Sequence, residues 1–368
     1  MPNNVKGDVF TKGKLLKKVV AVVLAPAFAG GVLLTEYNGA LPGDHAVTAE
    51  AVSGTVSSNA DALSESHSAE KVSFTKNSMT LGGAVSLNIY LYYGDIPEDN
   101  YADTYVEFDV NGKKQRADFD PCSMDSTGKD YRFNCRLNAV SMADEVKATF
   151  HYIDKNGNAQ TLTTIADAES YLKKFDESDA PKVWNLIRAI NDYGYYMQFY
   201  LSYYAGEPWQ LGVDHKAMQS AYTRPSYYVN KKADYISQLS AYQSSESYNR
   251  DIERVRKALI LDSDTVLYLG IEPKKNYKGS IGITVDGRPA EVSVRSDGVY
   301  EVYIRGIPAH KLGDTYTVEI TTDNGKKTVK ASALSYAYTA VQDPVSDSEL
   351  YAMCALYDYY KAALAYRK

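Results

Sequence analysis

An internal repeat constrains the fold of this 368-residue chain more than any other sequence feature. The turn Val110-Asn111-Gly112 recurs as Val285-Asp286-Gly287, and the helix-like segment 183–204 recurs near the C-terminus. Matching segments keep their order, and their spacing changes only between segments, as insertions in surface connections would produce. The sequence therefore predicts two copies of one unit.

Each copy ends in a segment with the periodicity of an amphipathic helix. In the first copy, the residues on one face are Val183, Leu186, Ile190, Tyr193, Met197, Tyr200 and Tyr204. In the second copy, the matching residues are Ala352, Leu356, Tyr359, Ala363 and Tyr366. We expect Leu186, Ile190, Tyr193 and Met197 to be buried in one unit, and Leu356 and Tyr359 in the other. Gly194 interrupts the first helix at a cost of about 1 kcal/mol relative to Ala, so tertiary packing must support it.

The rest of each copy has the pattern of β-strands. Val85, Leu87, Ile89 and Leu91 alternate with other residues, which predicts a half-buried strand. Asn111-Gly112 is a strong signal for a two-residue hairpin. The predicted fold is mainly β with helices: two tandem β-sandwich (Ig-like) units, each closed by a C-terminal amphipathic helix. We expect that helix to cover one face of its sandwich or to dock at its end.

The N-terminus has the features of an export signal. A basic run from Lys12 to Lys18 precedes the apolar segment 19–35, and Val47-Thr48-Ala49 supplies small residues for cleavage. Residues 1–49 are therefore predicted to be a signal peptide. An uncleaved signal anchor is the alternative, and no membrane span is expected after signal removal.

Composition sets the remaining boundaries. Residues 50–72 are rich in Ser and Ala and are predicted to be a flexible spacer. The first sandwich-plus-helix unit is expected at 73–204 and the second at 256–368. Residues 205–255 form a bridge with a possible short helix from Asp234, and this bridge could be a linker, a lid over the first unit or a packed connection.

Charge and cysteine content exclude two classes of protein. A net charge of −6 gives no electrostatic footprint for nucleic acid. Three cysteines are too few for a disulfide framework. Cys122 and Cys135 could pair across a hairpin, but Cys135 aligns with Ile304 of the second copy, which favours a small buried apolar side chain.

Tyrosine is unusually frequent, with 33 Tyr against 9 Phe. A tyrosine ring packs against apolar groups while its hydroxyl reaches water. We expect most of these residues at the half-exposed edge of the core, with a dedicated ligand platform as the alternative.

The sequence contains no motif of a known catalytic or cofactor site: HExxH, a CxxC pair, GxSxG, GxxxxGK and GxGxxG are all absent. No catalytic residue, metal ligand or cofactor is therefore predicted. One loop is rich in acidic side chains, and these are Asp95, Glu98, Asp99 and Asp103. Their spacing matches no calcium-binding loop, so a solvated acidic loop is the favoured interpretation.

Several segments resemble a known module. LIRAINDYGYYMQFYLSY in the first copy, and KLGDTYTVEI, ALSYAY and ALYDYYKAALAY in the second, are similar to a module repeated in exported surface proteins of Gram-positive gut anaerobes. The second helix departs from that pattern, with Tyr360 in place of Gly194 and Leu364 in place of Gln198. The resemblance covers both copies and implies a sandwich-plus-helix fold and export. It supplies no catalytic residues.

These observations predict a secreted or cell-surface protein that is a non-catalytic binding or spacer module, with a polysaccharide or cell-wall component as its candidate partner. The candidate sugar-stacking residues are Trp209, Tyr203, Tyr204, Tyr227 and Tyr228. The alternative for Trp209 is a buried plug between the bridge and the first unit. The rival hypotheses are a carbohydrate-active enzyme with an unrecognised carboxylate pair and a purely structural surface-layer component.

Overall fold

The computed structural model describes residues 71–81, 85–126, 128–175, 177–205, 221–261 and 265–367, with the side chains of 202–205 excluded. The predicted signal peptide, most of the predicted spacer and Trp209 lie outside the described residues. Within them the chain is mainly β, with antiparallel sheets and a few α-helices. This confirms the predicted class at that level.

The first half of the described chain contributes seven strands and two helices. They are β1 (Ser73–Thr80), β2 (Ser86–Tyr92), β3 (Tyr105–Val110), β4 (Lys113–Asp118), β5 (Asp130–Arg136), β6 (Val146–Ile153), β7 (Ala159–Ala166), α1 (Ala168–Leu172) and α2 (Pro181–Ala205).

The remaining elements begin with α3 (Pro225–Leu239) and β8 (Ser245–Glu246) in the predicted bridge. They continue with β9 (Ile252–Leu261), β10 (Thr265–Pro273), β11 (Gly282–Val285), β12 (Arg288–Pro289), β13 (Val292–Val294), β14 (Tyr300–Ile304), β15 (Tyr316–Thr322), β16 (Gly325–Ala331), α4 (Ala333–Gln342) and α5 (Asp347–Arg367).

The order of strands in the first pair of sheets recurs in the second pair. The first pair has the orders β1-β2-β5 and β4-β3-β6-β7. In the second pair, one sheet has the order β9-β10-β14 with β13 added next to β14. The other sheet has the order β12-β11-β15-β16 with β8 added next to β16. The helices α1 and α2 follow the first pair, and α4 and α5 follow the second. The repeated sequence segments therefore occupy matching places in the sheets.

The matched turns also share their backbone conformation. Asn111 and Gly112 have φ angles of 51° and 79°, and Asp286 and Gly287 have φ angles of 47° and 77°. Positive φ at both central residues joins two antiparallel strands with the correct twist. The hairpin predicted from Asn111-Gly112 is confirmed, since β3 pairs with β4 across it.

The strand β2 is buried on both faces, so the prediction of a half-buried strand was wrong. Leu87, Ile89 and Leu91 are buried on one face as expected, but Asn88 is also buried on the other. The reason is that β2 lies between β1 and β5 and fills its second face with a polar network. The Asn88 amide donates to Ser78 Oγ (3.1 Å) and Thr80 Oγ1 (3.0 Å) and accepts from Asn134 (2.9 Å).

The short helices α1 and α4 were not predicted. Both begin with the same capping arrangement, in which Asp167 pairs with Ser170 in one copy and Ser332 with Ser335 in the other. Each capping side chain accepts from the backbone N–H three residues later, which satisfies a donor that the helix leaves open. Five or ten residues are too few for a helical period to stand out in the sequence.

The described part of the predicted bridge, residues 221–255, is a packed connection. Its helix begins at Pro225, earlier than expected, and buries Tyr228, Tyr235 and Leu239. Its strand β8 pairs with β16, where Glu246 lies opposite Val329. Because residues 221–255 contribute to the core and extend a sheet, the linker and lid alternatives do not describe this part of the bridge.

The long helices α2 and α5 pack against each other. The residues expected to be buried are buried, but they lie in one layer shared by the two helices rather than in two separate units; they are Leu186, Ile190, Tyr193, Met197, Leu356 and Tyr359. Every residue from Ser348 to Tyr357 is buried, so this part of α5 is enclosed on all sides rather than on one face. Tyr193 and Tyr359, which hold the same place in the two copies, stack on each other at 5.7 Å between ring centroids.

The contacts of Gly194 and Tyr360 explain why the two helices differ there. A Cβ atom at Gly194 would lie 2.8 Å from the backbone nitrogen of Ala143, so the helix and this loop approach closely. In the second copy the arrangement is reversed: Tyr360 is on the helix and Gly313 is in the loop. A Cβ atom at Gly313 would lie 2.5 Å from Tyr360 Oη. Each copy thus pairs one glycine with one larger residue at this contact.

Most of the described tyrosines are half-buried, as expected, but one group of them is fully buried between the helices. The ring of Tyr228 lies 5.2 Å from that of Tyr196, 5.8 Å from Tyr235 and 6.3 Å from Tyr351, which joins α2, α3 and α5. Edge-to-face and stacked ring pairs of this kind stabilise a core by about 0.5 to 1.5 kcal/mol beyond their area burial. These rings form the centre of the helical layer rather than its edge.

The described cysteines are free thiols. Cys135 and Cys354 are buried and Cys122 is exposed, so the interpretation of Cys135 as a small buried apolar residue is confirmed and the proposed bridge to Cys122 is not formed. Burial raises the pKa of the Cys135 thiol to about 12, which keeps it protonated and unreactive at neutral pH.

Candidate functional site

A cleft of about 480 Å³ opens between α2, the segment leading into α3, and α5. Its volume lies within the usual range for sites of small ligands. Aromatic rings at Tyr222 and Tyr227 line it together with polar groups. The polar and charged lining residues are Asn185, Arg188, Asp192, Thr223, Arg224 and Asp358.

Asp192 fixes one wall of the cleft. Its side chain is 4% exposed and accepts hydrogen bonds from the backbone N–H of Tyr222 (2.7 Å) and Thr223 (3.1 Å). Burial raises the pKa of this carboxyl, and the hydrogen bonds from Thr223 and Tyr222 oppose that rise. Asp192 therefore ties the segment that precedes α3 to the middle of α2.

Arg188 lies one helical turn before Asp192. Its Nη2 donates to Thr223 Oγ1 (3.3 Å), and its guanidinium lies 5.5 Å from the ring of Trp184 and 5.9 Å from that of Tyr222. Among the described residues, no carboxylate oxygen lies within 4.0 Å of its guanidinium nitrogens. Rings and a hydroxyl thus contact the cation, and the charge of Asp192 acts on it from one helical turn away.

Asp358 lines the opposite side of the cleft on α5. It accepts a hydrogen bond from Tyr235 Oη (2.5 Å) and forms an ion pair with Lys361 (2.9 Å). Burial, with Asp358 as the second cause, raises the pKa of the Tyr235 hydroxyl, so that hydroxyl remains a donor at neutral pH. Asp358 therefore links α5 to α3.

The two aspartates occupy equivalent positions. Asp192 precedes Tyr193 and Asp358 precedes Tyr359, and those two tyrosines stack between the helices. The duplication therefore places one carboxylate from each copy in the same cleft. Both carboxylates already accept hydrogen bonds from groups of the protein.

The structure separates the predicted stacking residues. Tyr227 is 49% exposed and lines the cleft, whereas Tyr228 is 0% exposed and belongs to the aromatic cluster, so its ring cannot meet a ligand. Tyr203 and Tyr204 lie on α2, and their side chains are outside the described part of the chain, as is all of Trp209.

Sequence reasoning missed Arg188, Asp192 and Asp358. The signal for the first two was present, because Arg188 and Asp192 are four residues apart and share one face of a predicted helix. The signal for the third was that Asp192 and Asp358 align between the copies. Neither pattern reveals that α2 and α5 would face each other.

Asp95 of the acidic loop and His151 have contacts within the protein. Glu98, Asp99 and Asp103 lie on a short 3₁₀ helix, and Asp95 pairs with Lys155 at 3.1 Å. His151 stacks on Tyr105 at 4.4 Å. Among the residues that the structure describes, no group of three or more His, Cys, Asp or Glu side chains is placed to hold a metal ion.

A scan against models of protein families finds no match, and a search of curated proteins finds none. Within the described ranges, none of the helices is both long enough and apolar enough to cross a membrane.

Proposed function

We propose that this protein is a secreted or cell-surface, non-catalytic binding module whose cleft between α2 and α5 holds a carbohydrate. The observation that carries the proposal is the lining of that cleft, which combines two tyrosine rings with amide, hydroxyl and guanidinium groups. Apolar faces with a few convergent polar groups are typical of sites for small ligands. Sugars present both kinds of surface, because their ring faces are apolar and their edges carry hydroxyls.

The architecture that supports this site is, in our proposal, two tandem β-sandwich units at 73–204 and 256–368 joined by the bridge at 205–255. The recurrent strand order supports two equivalent units. In the first, Phe150 on β6 lies 5.9 Å from Phe133 on β5 and 5.4 Å from Tyr93, which follows β2. These contacts connect the two sheets across a shared core.

Export is the second part of the proposal. The basic run and apolar segment within residues 1–49 support a signal peptide, and the resemblance to modules of exported surface proteins of Gram-positive gut anaerobes supports an extracellular location. A polysaccharide or cell-wall component is the partner that such a location would offer.

Replacing Tyr227 by Ala tests the binding site. We expect about a tenfold loss of affinity for a retained glycan, which corresponds to about 1.4 kcal/mol, because an exposed aromatic ring at a binding surface contributes energy of this order. Affinity electrophoresis in gels containing the glycan measures the effect. Tyr248→Ala is the matched control, since Tyr248 is 83% exposed and does not line the cleft, and it should bind as the wild type does. Equal retention of the Tyr227 variant and the wild type would reject the cleft as the site.

A carbohydrate-active enzyme is the second candidate, because Asp192 and Asp358 bring two carboxylates into one cleft beside tyrosine rings. Glycosidases use such a pair as acid and base or as acid and nucleophile. An enzyme would shorten a bound glycan, and the loss of that activity in Asp358→Asn would support this candidate. Our proposal predicts that the glycan keeps its length on prolonged incubation with the wild-type protein.

A further inference from the structure

We infer that the ligand of this cleft is an acidic glycan, one whose sugar rings carry carboxylate groups. The inference rests on the proposed function, since it names the class of ligand for the same cleft. It is carried by the position of Arg188 and by the way the other charges in the cleft are already engaged.

The guanidinium of Arg188 is held in place, and most of its N–H donors have no acceptor among the described residues. Only one hydroxyl, Thr223 Oγ1, accepts from its guanidinium in the part of the chain that the structure describes, and that contact is long at 3.3 Å. The rings of Trp184 and Tyr222 lie close to the guanidinium and limit its freedom. A planar guanidinium presents its donors in a fork that matches the two oxygens of a carboxylate.

The carboxylates of the cleft do not supply that partner. Asp192 lies only one helical turn from Arg188, but its oxygens accept from the backbone N–H groups of Tyr222 and Thr223. Asp358 accepts from Tyr235 Oη and pairs with Lys361. Asp192 acts on Arg188 through its charge but does not contact the guanidinium, so the guanidinium donors remain available to a ligand carboxylate.

The remaining lining suits the rest of a sugar acid. Arg224 adds a second guanidinium to the cleft, and Asn185 adds an amide that can both donate and accept. The exposed ring of Tyr227 offers a flat apolar face for the sugar ring. A uronic acid has the matching parts, namely a ring face, hydroxyls and one carboxylate.

The test compares two forms of one polymer, polygalacturonate and its fully methyl-esterified form, which share a backbone and differ in charge. We expect the wild-type protein to bind the acidic form at least tenfold more tightly, with a difference that shrinks as salt is added. Arg188→Gln should bind both forms alike, within about twofold, because the loss of the guanidinium falls mainly on the acidic form. Arg188→Lys retains the charge and should keep part of the preference.

Arg305→Gln is the control, because Arg305 also lies over a tyrosine ring, that of Tyr303 at 5.0 Å, yet is exposed outside the cleft. It should keep the full preference for the acidic form. A wild-type protein that binds both forms equally, or an Arg188→Gln variant that still prefers the acid, would overturn the inference and leave the carbohydrate site intact. If the wild-type protein binds neither form, the inference is also overturned. If Tyr227→Ala binds the ester as tightly as the wild type does, the proposed site itself is rejected.

Discussion

Replacing Leu186 by Ala is expected to lower the free energy of unfolding by about 2 to 5 kcal/mol. Leu186 lies on α2, is 1% exposed and belongs to the main apolar core. Truncation to Ala removes buried apolar surface and leaves a cavity, because the packed helices relax only partly around the smaller side chain. Chemical denaturation of the purified protein measures the change.

Lys182→Ala is the control for this prediction, since Lys182 is on the same helix and is exposed. Its effect should stay within about 0.5 kcal/mol. A loss below about 1 kcal/mol for the Leu186 variant would mean that this face of α2 does not pack in the core.

Replacing Gly194 by Ala is expected to destabilise the protein by about 1 to 3 kcal/mol, although the same change in an ordinary helix interior stabilises by about 1 kcal/mol. The sign reverses because the new Cβ would lie 2.8 Å from the Ala143 nitrogen and 3.1 Å from the Cβ atoms of Ala143 and Met142. A backbone atom cannot move aside as the end of a side chain can, so α2 must shift away from the loop.

Asn230→Ala is the control that separates the effect of close packing at Gly194 from the helix propensity of Ala. Asn230 is exposed on α3, so Ala there should be neutral or should stabilise by a few tenths of a kcal/mol. Thermal or denaturant unfolding of both variants gives the comparison. If Gly194→Ala stabilised the protein as Asn230→Ala does, the close approach of α2 to the loop would be disproved.

Local patterns in the sequence predicted the elements whose causes are local. The helical stripe through Leu186 and Ile190 and the positive-φ turn at Asn111-Gly112 depend on neighbouring residues, and both are present. The repeat was visible for the same reason, because each copy carries its own set of such signals.

The parts that failed depend on which elements meet. Tyr228 looked like a candidate stacking residue, but it is buried because α3 packs into the helical layer. Gly194 looked like a weak point in α2, yet the glycine is what lets the helix approach Ala143. The cleft itself could not be predicted, because Asp192 and Asp358 share it only once α2 and α5 face each other.

Amide hydrogen exchange, followed by mass spectrometry with and without a saturating galacturonate oligosaccharide, tests most directly whether the cleft is the binding site. Tyr222 and Thr223 donate their backbone N–H groups to Asp192 in the cleft wall, so a ligand that rests on this wall should slow the opening of these hydrogen bonds. We predict slower exchange in peptides covering 185–192 and 221–227, and no change in peptides from the sheets. No change in either cleft segment, or slower exchange confined to the sheets, would contradict the account.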